Sequence, residues 1–251
     1  MCSTDVTGSL ATVPGVDWLE ATTERVRPAA QAPELAAPAL VAALVVAAVA
    51  VTWRPAWAAL RLAVTLVHEL GHAAVGVAVG RRFTGFVLRS DMSGHAVTVG
   101  RPRGPGMVAM TWAGYPAPAL LGSALVWLGA HGWSAPTLAV GLLALLAALP
   151  FVRSGLTAAV VLGTGAAVGW LWWAGTAVLQ QQALVAIGVV LLVGAWRHLG
   201  AVAARPTPAS DPGTLARLTR VPTGLWVLSM ALVCGLATWA AVAELVPVVR
   251  A

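Results

Sequence analysis

The sequence predicts an all-α polytopic membrane protein, with six or seven transmembrane helices and one small membrane-associated β-hairpin. Three observations carry that expectation. Of 251 residues, 59% are hydrophobic and 10% are charged, against roughly 25% charged in soluble domains. The chain holds seven apolar runs broken by Pro, Gly and Arg, and a spanning helix needs about 20 mainly apolar residues. One basic stretch, residues 83–100, instead shows two short β-prone runs around Asp91-Met92-Ser93-Gly94, a turn signal.

Taken in order, residues 1–37 are Ala/Pro-rich and carry Asp5, Asp17, Glu20 and Glu24 where a signal peptide needs a basic start and an apolar centre. They read as a poorly ordered tail. Residues 38–251 read as one polytopic domain, with apolar runs at 38–53, 57–80, 107–130, 135–151, 155–178, 183–196 and 225–249. The first, fourth and sixth are short, which leaves six spans open. All 15 basic residues are arginine, and the chain contains no lysine and no asparagine, as in a protein from a GC-rich bacterial genome. The arginines stand singly or in pairs, so the +6 charge marks topology in a cell membrane and no nucleic-acid partner. Arg81, Arg82, Arg89, Arg101 and Arg103 in one connection, and Arg197, Arg205, Arg217 and Arg220 in another, place both connections in the cytoplasm. Seven spans then put the N-terminus and Arg153 inside and the links 131–134 and 180–182 outside, with Arg54, Arg61 and Arg250 as exceptions. Cys2 and Cys234 lie at opposite ends and make no disulfide framework.

The second run contains His68-Glu69-Leu70-Gly71-His72, an HExxH pattern. With 5 His and 5 Glu in the chain, its chance occurrence is roughly two in a thousand. Residues four apart on an α-helix stand about 40° apart around the axis and about 6 Å apart along it, so both imidazoles can reach one metal ion. Zinc accepts such nitrogens. Glu69 lies about 100° round the helix, beside the metal, where it can act as general base toward a water there. A carboxylate at depth costs about 2.5–3.5 kcal/mol on insertion scales, and a divalent cation compensates it. A polar helix-packing cluster and a metal-free proton relay are the blander readings.

A catalytic zinc takes a third protein ligand. Asp211, in Ser210-Asp211-Pro212-Gly213 before the last run, ranks first, although an N-cap followed by Pro explains it equally simply. Asp91 ranks next, with His95 beside it, and both read as turn or exposed residues. His131, His198 and Glu244 lie near run ends. Tyr115, the one tyrosine, stands in Ala113-Gly114-Tyr115-Pro116-Ala117-Pro118. Two prolines there interrupt the helix and suit a cavity wall, so Tyr115 is either a packing residue or a donor to a developing oxyanion. The Trp170–Trp173 cluster reads as lipid-facing.

Together these residues resemble the site-2 protease family of intramembrane zinc metallopeptidases, in its branch of small multi-span bacterial members. The resemblance rests on His68–His72 in an early span, the Gly-rich β-type segment behind it, Ala113-Gly114-Tyr115, and Ser210-Asp211 before Leu225. It implies that His68 and His72 bind one zinc ion, that Glu69 activates water, that a late aspartate completes the site, and that the substrate is a transmembrane protein or peptide. It departs from better-known members in the Pro212 that follows Asp211 and in having no asparagine. Two other classes stay open on the residues alone: a His-lined transporter or proton conduit, and a metal-binding pseudoprotease scaffold, the latter favoured if Asp211 is distant from the histidines.

Overall fold

A computed structural model describes residues 22–29, 36–91 and 93–250; the rest of the expected N-terminal tail lies outside the described residues. In chain order the elements are α1 (Ala37–Thr52), α2 (Arg54–Ala78), β1 (Arg82–Leu88), β2 (Gly94–Val99), α3 (Pro105–Ala113), α4 (Pro116–Ala130), α5 (Ser134–Ala148) with a 3-10 turn (Leu149–Phe151), α6 (Gly155–Ala174), α7 (Ala177–Ala204), α8 (Asp211–Thr219) and α9 (Thr223–Arg250).

Prolines set the breaks. Pro55 sits in the first turn of α2, where a missing N–H is tolerated, and its ring would clash with the Val51 carbonyl if α1 ran on unbroken. The chain turns 96° between α1 and α2, with Trp53 extended at the joint. Pro55 has no N–H to give the Val51 carbonyl, and Arg197 Nη1 donates to that oxygen instead, at 2.8 Å. Helices so inclined cannot both follow one membrane normal. Among the described residues four helices are long and apolar enough to cross a membrane, Ser134–Phe151, Gly155–Ala174, Ala177–Ala204 and Thr223–Val248, and a fifth span arises if the α1–α2 pair counts as one. α4 is a shorter apolar helix, because Pro116 and Pro118 split the third expected span. Gly114 and Tyr115 keep right-handed helical backbone angles at this split.

The sixth apolar run is longer than expected. α7 begins at Ala177, so Gln180–Gln182 lies within the helix and the true link is Gly175-Thr176. Gln180 is buried, and its side-chain amide donates to the carbonyls of Leu171, Trp172 and Gly175 at 3.1–3.2 Å, satisfying groups that α6 leaves free at its end.

β1 and β2 pair antiparallel from Arg82↔Val99 to Leu88↔Gly94, close to the expected 83–100. The outer edge of β1 is occupied: Arg153 N donates to the Phe86 carbonyl at 3.2 Å, Leu88 N donates to Thr157 Oγ1 at 2.8 Å, and Arg153 Nη2 donates to the Thr84 carbonyl at 2.6 Å. Phe86 and Leu88 bury against Leu66, Leu145, Ala148 and Val161. A second core joins α1, α4, α7 and α9 through residues such as Leu40, Ala119, Val126, Val185, Leu192 and Met230. α4 and α7 approach closely at Gly122, where a Cβ would stand 2.6 Å from the Gly188 carbonyl. Large apolar residues such as Val46, Leu143, Trp170, Leu232 and Trp239 face outward, as lipid contact requires.

The described N-terminal residues lie away from the hairpin. Ala29 N donates to the Gly132 carbonyl at 3.0 Å, Trp172 Nε1 donates to the Arg25 carbonyl at 3.2 Å, and the Arg25 guanidinium stands 4.6 Å over the Trp173 ring. Arg153 and the hairpin meet the opposite end of α6. The seven-span arrangement would put residues 22–29 on the hairpin's side, whereas they pack at the other end of α6. The bend at Trp53 allows α1 and α2 to be read as one broken span where two crossings were expected.

Candidate metal centre

α2 supplies His68, Glu69 and His72, and four-residue spacing brings the two imidazoles together: their Nε2 atoms lie 3.1 Å apart. Asp211 Oδ2 stands 3.1 Å from His68 Nε2 and 3.2 Å from His72 Nε2. Among the described residues this trio is the group whose donor atoms can hold a metal ion.

The start of α8 explains why Asp211 is free to reach. Ser210 Oγ accepts from Gly213 N at 3.3 Å, so Ser210 is the N-cap and the alternative role for Asp211 falls away. Gly213 permits the tight approach of the preceding loop, since a Cβ there would overlap the Thr207 carbonyl, and Arg217 Nη1 closes the loop by donating to the Pro208 carbonyl.

The surroundings fit a divalent cation. His72 Nδ1 lies 2.7 Å from the Met110 carbonyl and must donate to it, since a carbonyl cannot. In the neutral ring this leaves Nε2 with its lone pair facing the other two donors. Tetrahedral bonds near 2.0–2.1 Å separate ligand atoms by about 3.3 Å, close to the observed triangle. Space is kept in front of that triangle by Gly114: a Cβ there would overlap His72 Nε2 and stand 2.6 Å from His68 Nε2. Gly71 lets α2 approach this segment, as a Cβ at position 71 would stand 3.2 Å from the Ala113 carbonyl oxygen.

Glu69 is 3% exposed. The first residue of β2 passes over it, and a Cβ on Gly94 would stand 2.6 Å from Glu69 Cγ. Tyr115 packs edge-on to His68, with ring centroids 4.7 Å apart, and lines the same cavity of about 620 Å³. Asp91 is not brought to the trio. It is exposed, its Oδ1 accepts from Ser93 N at 2.9 Å and Ser93 Oγ at 2.6 Å, and these bonds hold its carboxyl below the usual range. His95 lines the cavity wall. His131 pairs with Glu244 at 3.6 Å, far along the fold. Arg61 and His198 also line the cavity, and sequence reasoning missed both. Arg61 shares a helix face with His68, a signal that was available; His198 had none, since only the crossing of α7 over α2 brings it in.

No curated protein and no solved structure gives a match to this chain. Residues 41–241 match the family model described as Peptidase M50B-like, a span that contains both halves of the trio. The chain belongs to the Peptidase M50B-like family, that of the site-2 proteases.

Proposed function

We propose that this protein is an intramembrane zinc metalloendopeptidase that hydrolyses a peptide bond within or beside the membrane in a transmembrane protein or peptide. The observation that carries the reading is the convergence of His68, His72 and Asp211 donor atoms within 4.8 Å of one another, beside the buried carboxylate of Glu69. His68, His72 and Asp211 would hold one zinc ion. When bound, it supplies a Lewis acid that polarises the scissile carbonyl and lowers the pKa of a water. Glu69 takes the proton of the attacking water and returns it to the leaving amide nitrogen. Burial under Gly94 keeps this carboxylate out of bulk solvent, and Asp211 and the Met110 carbonyl orient the imidazoles. Tyr115 walls the cavity and is the candidate donor to the developing oxyanion.

A helical substrate hides its carbonyls in backbone hydrogen bonds, so it must unwind to be cut. Ser93, Gly94, His95 and Ala96 line the cavity, and with β1 already tied to Arg153 and Thr157, the free edge of β2 is the one able to pair with an unwound strand. Nine arginines (81, 82, 89, 101, 103, 153, 205, 217 and 220) gather on the hairpin's side, against Arg25, Arg27 and Arg250 on the other. The hairpin face is accordingly cytoplasmic and residues 22–29 lie on the outer face. The scaffold alternative drew its support from a distant Asp211, and 3.1 Å to His68 removes that support.

The test is Glu69→Gln in purified protein. The variant is expected to retain one zinc per chain by elemental analysis and to lose cleavage of a membrane peptide that the parent cuts. Undiminished cleavage by the zinc-loaded variant would sink the mechanism.

A further inference from the structure

The cavity continues past the trio toward the start of α2, and there its wall is cationic. Trp57, Arg61, Arg197 and His198 line this end. Arg61 precedes His68 by two helical turns, on the same face, which separates their Cα atoms by about 10 Å. α7 crosses α2 here: a Cβ on Gly194 would stand 2.6 Å from Val64 Cγ2, and the Arg197 guanidinium lies 4.0 Å over the Trp57 ring. Arg197 already donates one N–H to the Val51 carbonyl. Among the described residues no carboxylate pairs with Arg61 or Arg197: Glu69 and Asp211 serve the trio, Asp91 turns to Ser93, Glu244 pairs with His131, and Glu24 lies in the N-terminal stretch at the far end of α6. Beside them His198 Nε2 is buried without a hydrogen-bond partner. A buried ring nitrogen with no partner, whether it donates or accepts, is uncommon, and here it lies beside two arginines that no carboxylate neutralises. An arginine that merely snorkels to lipid headgroups leaves that unpartnered nitrogen unexplained.

We propose that Arg61 and His198, supported by Arg197, form a carboxylate subsite that selects substrate segments carrying Asp or Glu near the scissile bond; this rests on the peptidase reading above. An extended strand advances about 3.3 Å per residue, so the separation from His68 corresponds to roughly three residues from the cut. The guanidinium supplies a charge-assisted hydrogen bond to the substrate carboxylate and His198 a second donor.

The experiment uses full-length Glu69→Gln protein in phosphatidylcholine nanodiscs, so that bound peptide is not cut. The probe is a fluorescent Leu/Ala peptide of about 20 residues in which a single Asp, or its isostere Asn, is moved through the central positions. At the matching position the Asp peptide is expected to bind roughly tenfold more tightly than the Asn peptide. Arg61→Gln is expected to erase that preference, and Arg61→Glu to transfer it to a Lys-bearing peptide, a gain that a misfolded variant cannot show. Equal binding of the Asp and Asn peptides at every position overturns the subsite. Loss of the preference when phosphatidylglycerol is added to the nanodiscs also overturns it, assigning Arg61 to a lipid phosphate. Acid-selective binding, with no cleavage of the same peptide by the parent protein, would sink the peptidase reading and leave the subsite standing. Cleavage without acid preference does the reverse.

Discussion

Gly114 matters because of what its missing side chain leaves empty. Its backbone lies against the facing Nε2 atoms of His68 and His72, and a Cβ would enter the space that a cation there would need. Gly114→Ala is therefore expected to lower zinc affinity by roughly 10–100-fold, measured by competition with a chromophoric chelator, while hydrophobic packing elsewhere is untouched. Unchanged affinity would mean that the cation sits away from this cradle. The same position shows how much a five-residue motif leaves unsaid: HExxH names the donors, but the room in front of them belongs to a residue 42 places further along the chain.

At the scale of the element, α8 is a nine-residue helix whose first residue carries the third donor. Its start is held by the Ser210 cap, by Gly213 and by Arg217. Replacing the cap with Ala costs about 1 kcal/mol of helix stability. If that cap positions Asp211, Ser210→Ala reduces zinc affinity roughly fivefold, the ratio to which 1 kcal/mol corresponds. A chelator titration indistinguishable from the parent would show that Gly213 and Arg217 hold the turn alone. α2 is shaped differently, by loss: Pro55 removes one backbone donor, and Arg197 replaces it from another helix.

At the scale of the whole molecule, the bend between α1 and α2 decides the sidedness of the chain. Read as one bent crossing in place of two straight ones, the pair leaves residues 22–29 on the side opposite the hairpin, the outer face in the orientation we propose. In a background with Cys2 and Cys234 replaced, Arg27→Cys is expected to react with a membrane-impermeant maleimide added outside intact cells, and Arg103→Cys only after the cytoplasmic face is opened. Labelling of both from the same side would refute this arrangement. In the proposed orientation Arg54 and Arg61, near the Arg197 end of α7, no longer count as exceptions on the outer face.

Several features were legible in the sequence because their causes are local. Scarce charge identified a membrane chain, four-residue spacing paired His68 with His72, Pro116 and Pro118 marked the split before α4, and Asp91-Met92-Ser93-Gly94 placed the hairpin within a residue or two of its observed strands. Asp211 was singled out by a shortage of rivals, without any sign of how it would reach the histidines. The length of α7 was obscured because Gln180–Gln182 looked like a polar link, whereas Gln180 satisfies the end of α6 from within a helix. Composition, helical period and proline act along the chain over a few residues, and those the sequence by itself determined. Which faces meet depends on burial and on carbonyls left unpaired by breaks far apart in sequence, so only the tertiary structure decided the bend at Trp53, the Asp211 contact, the cradle at Gly114 and the cationic wall of Arg61 and His198.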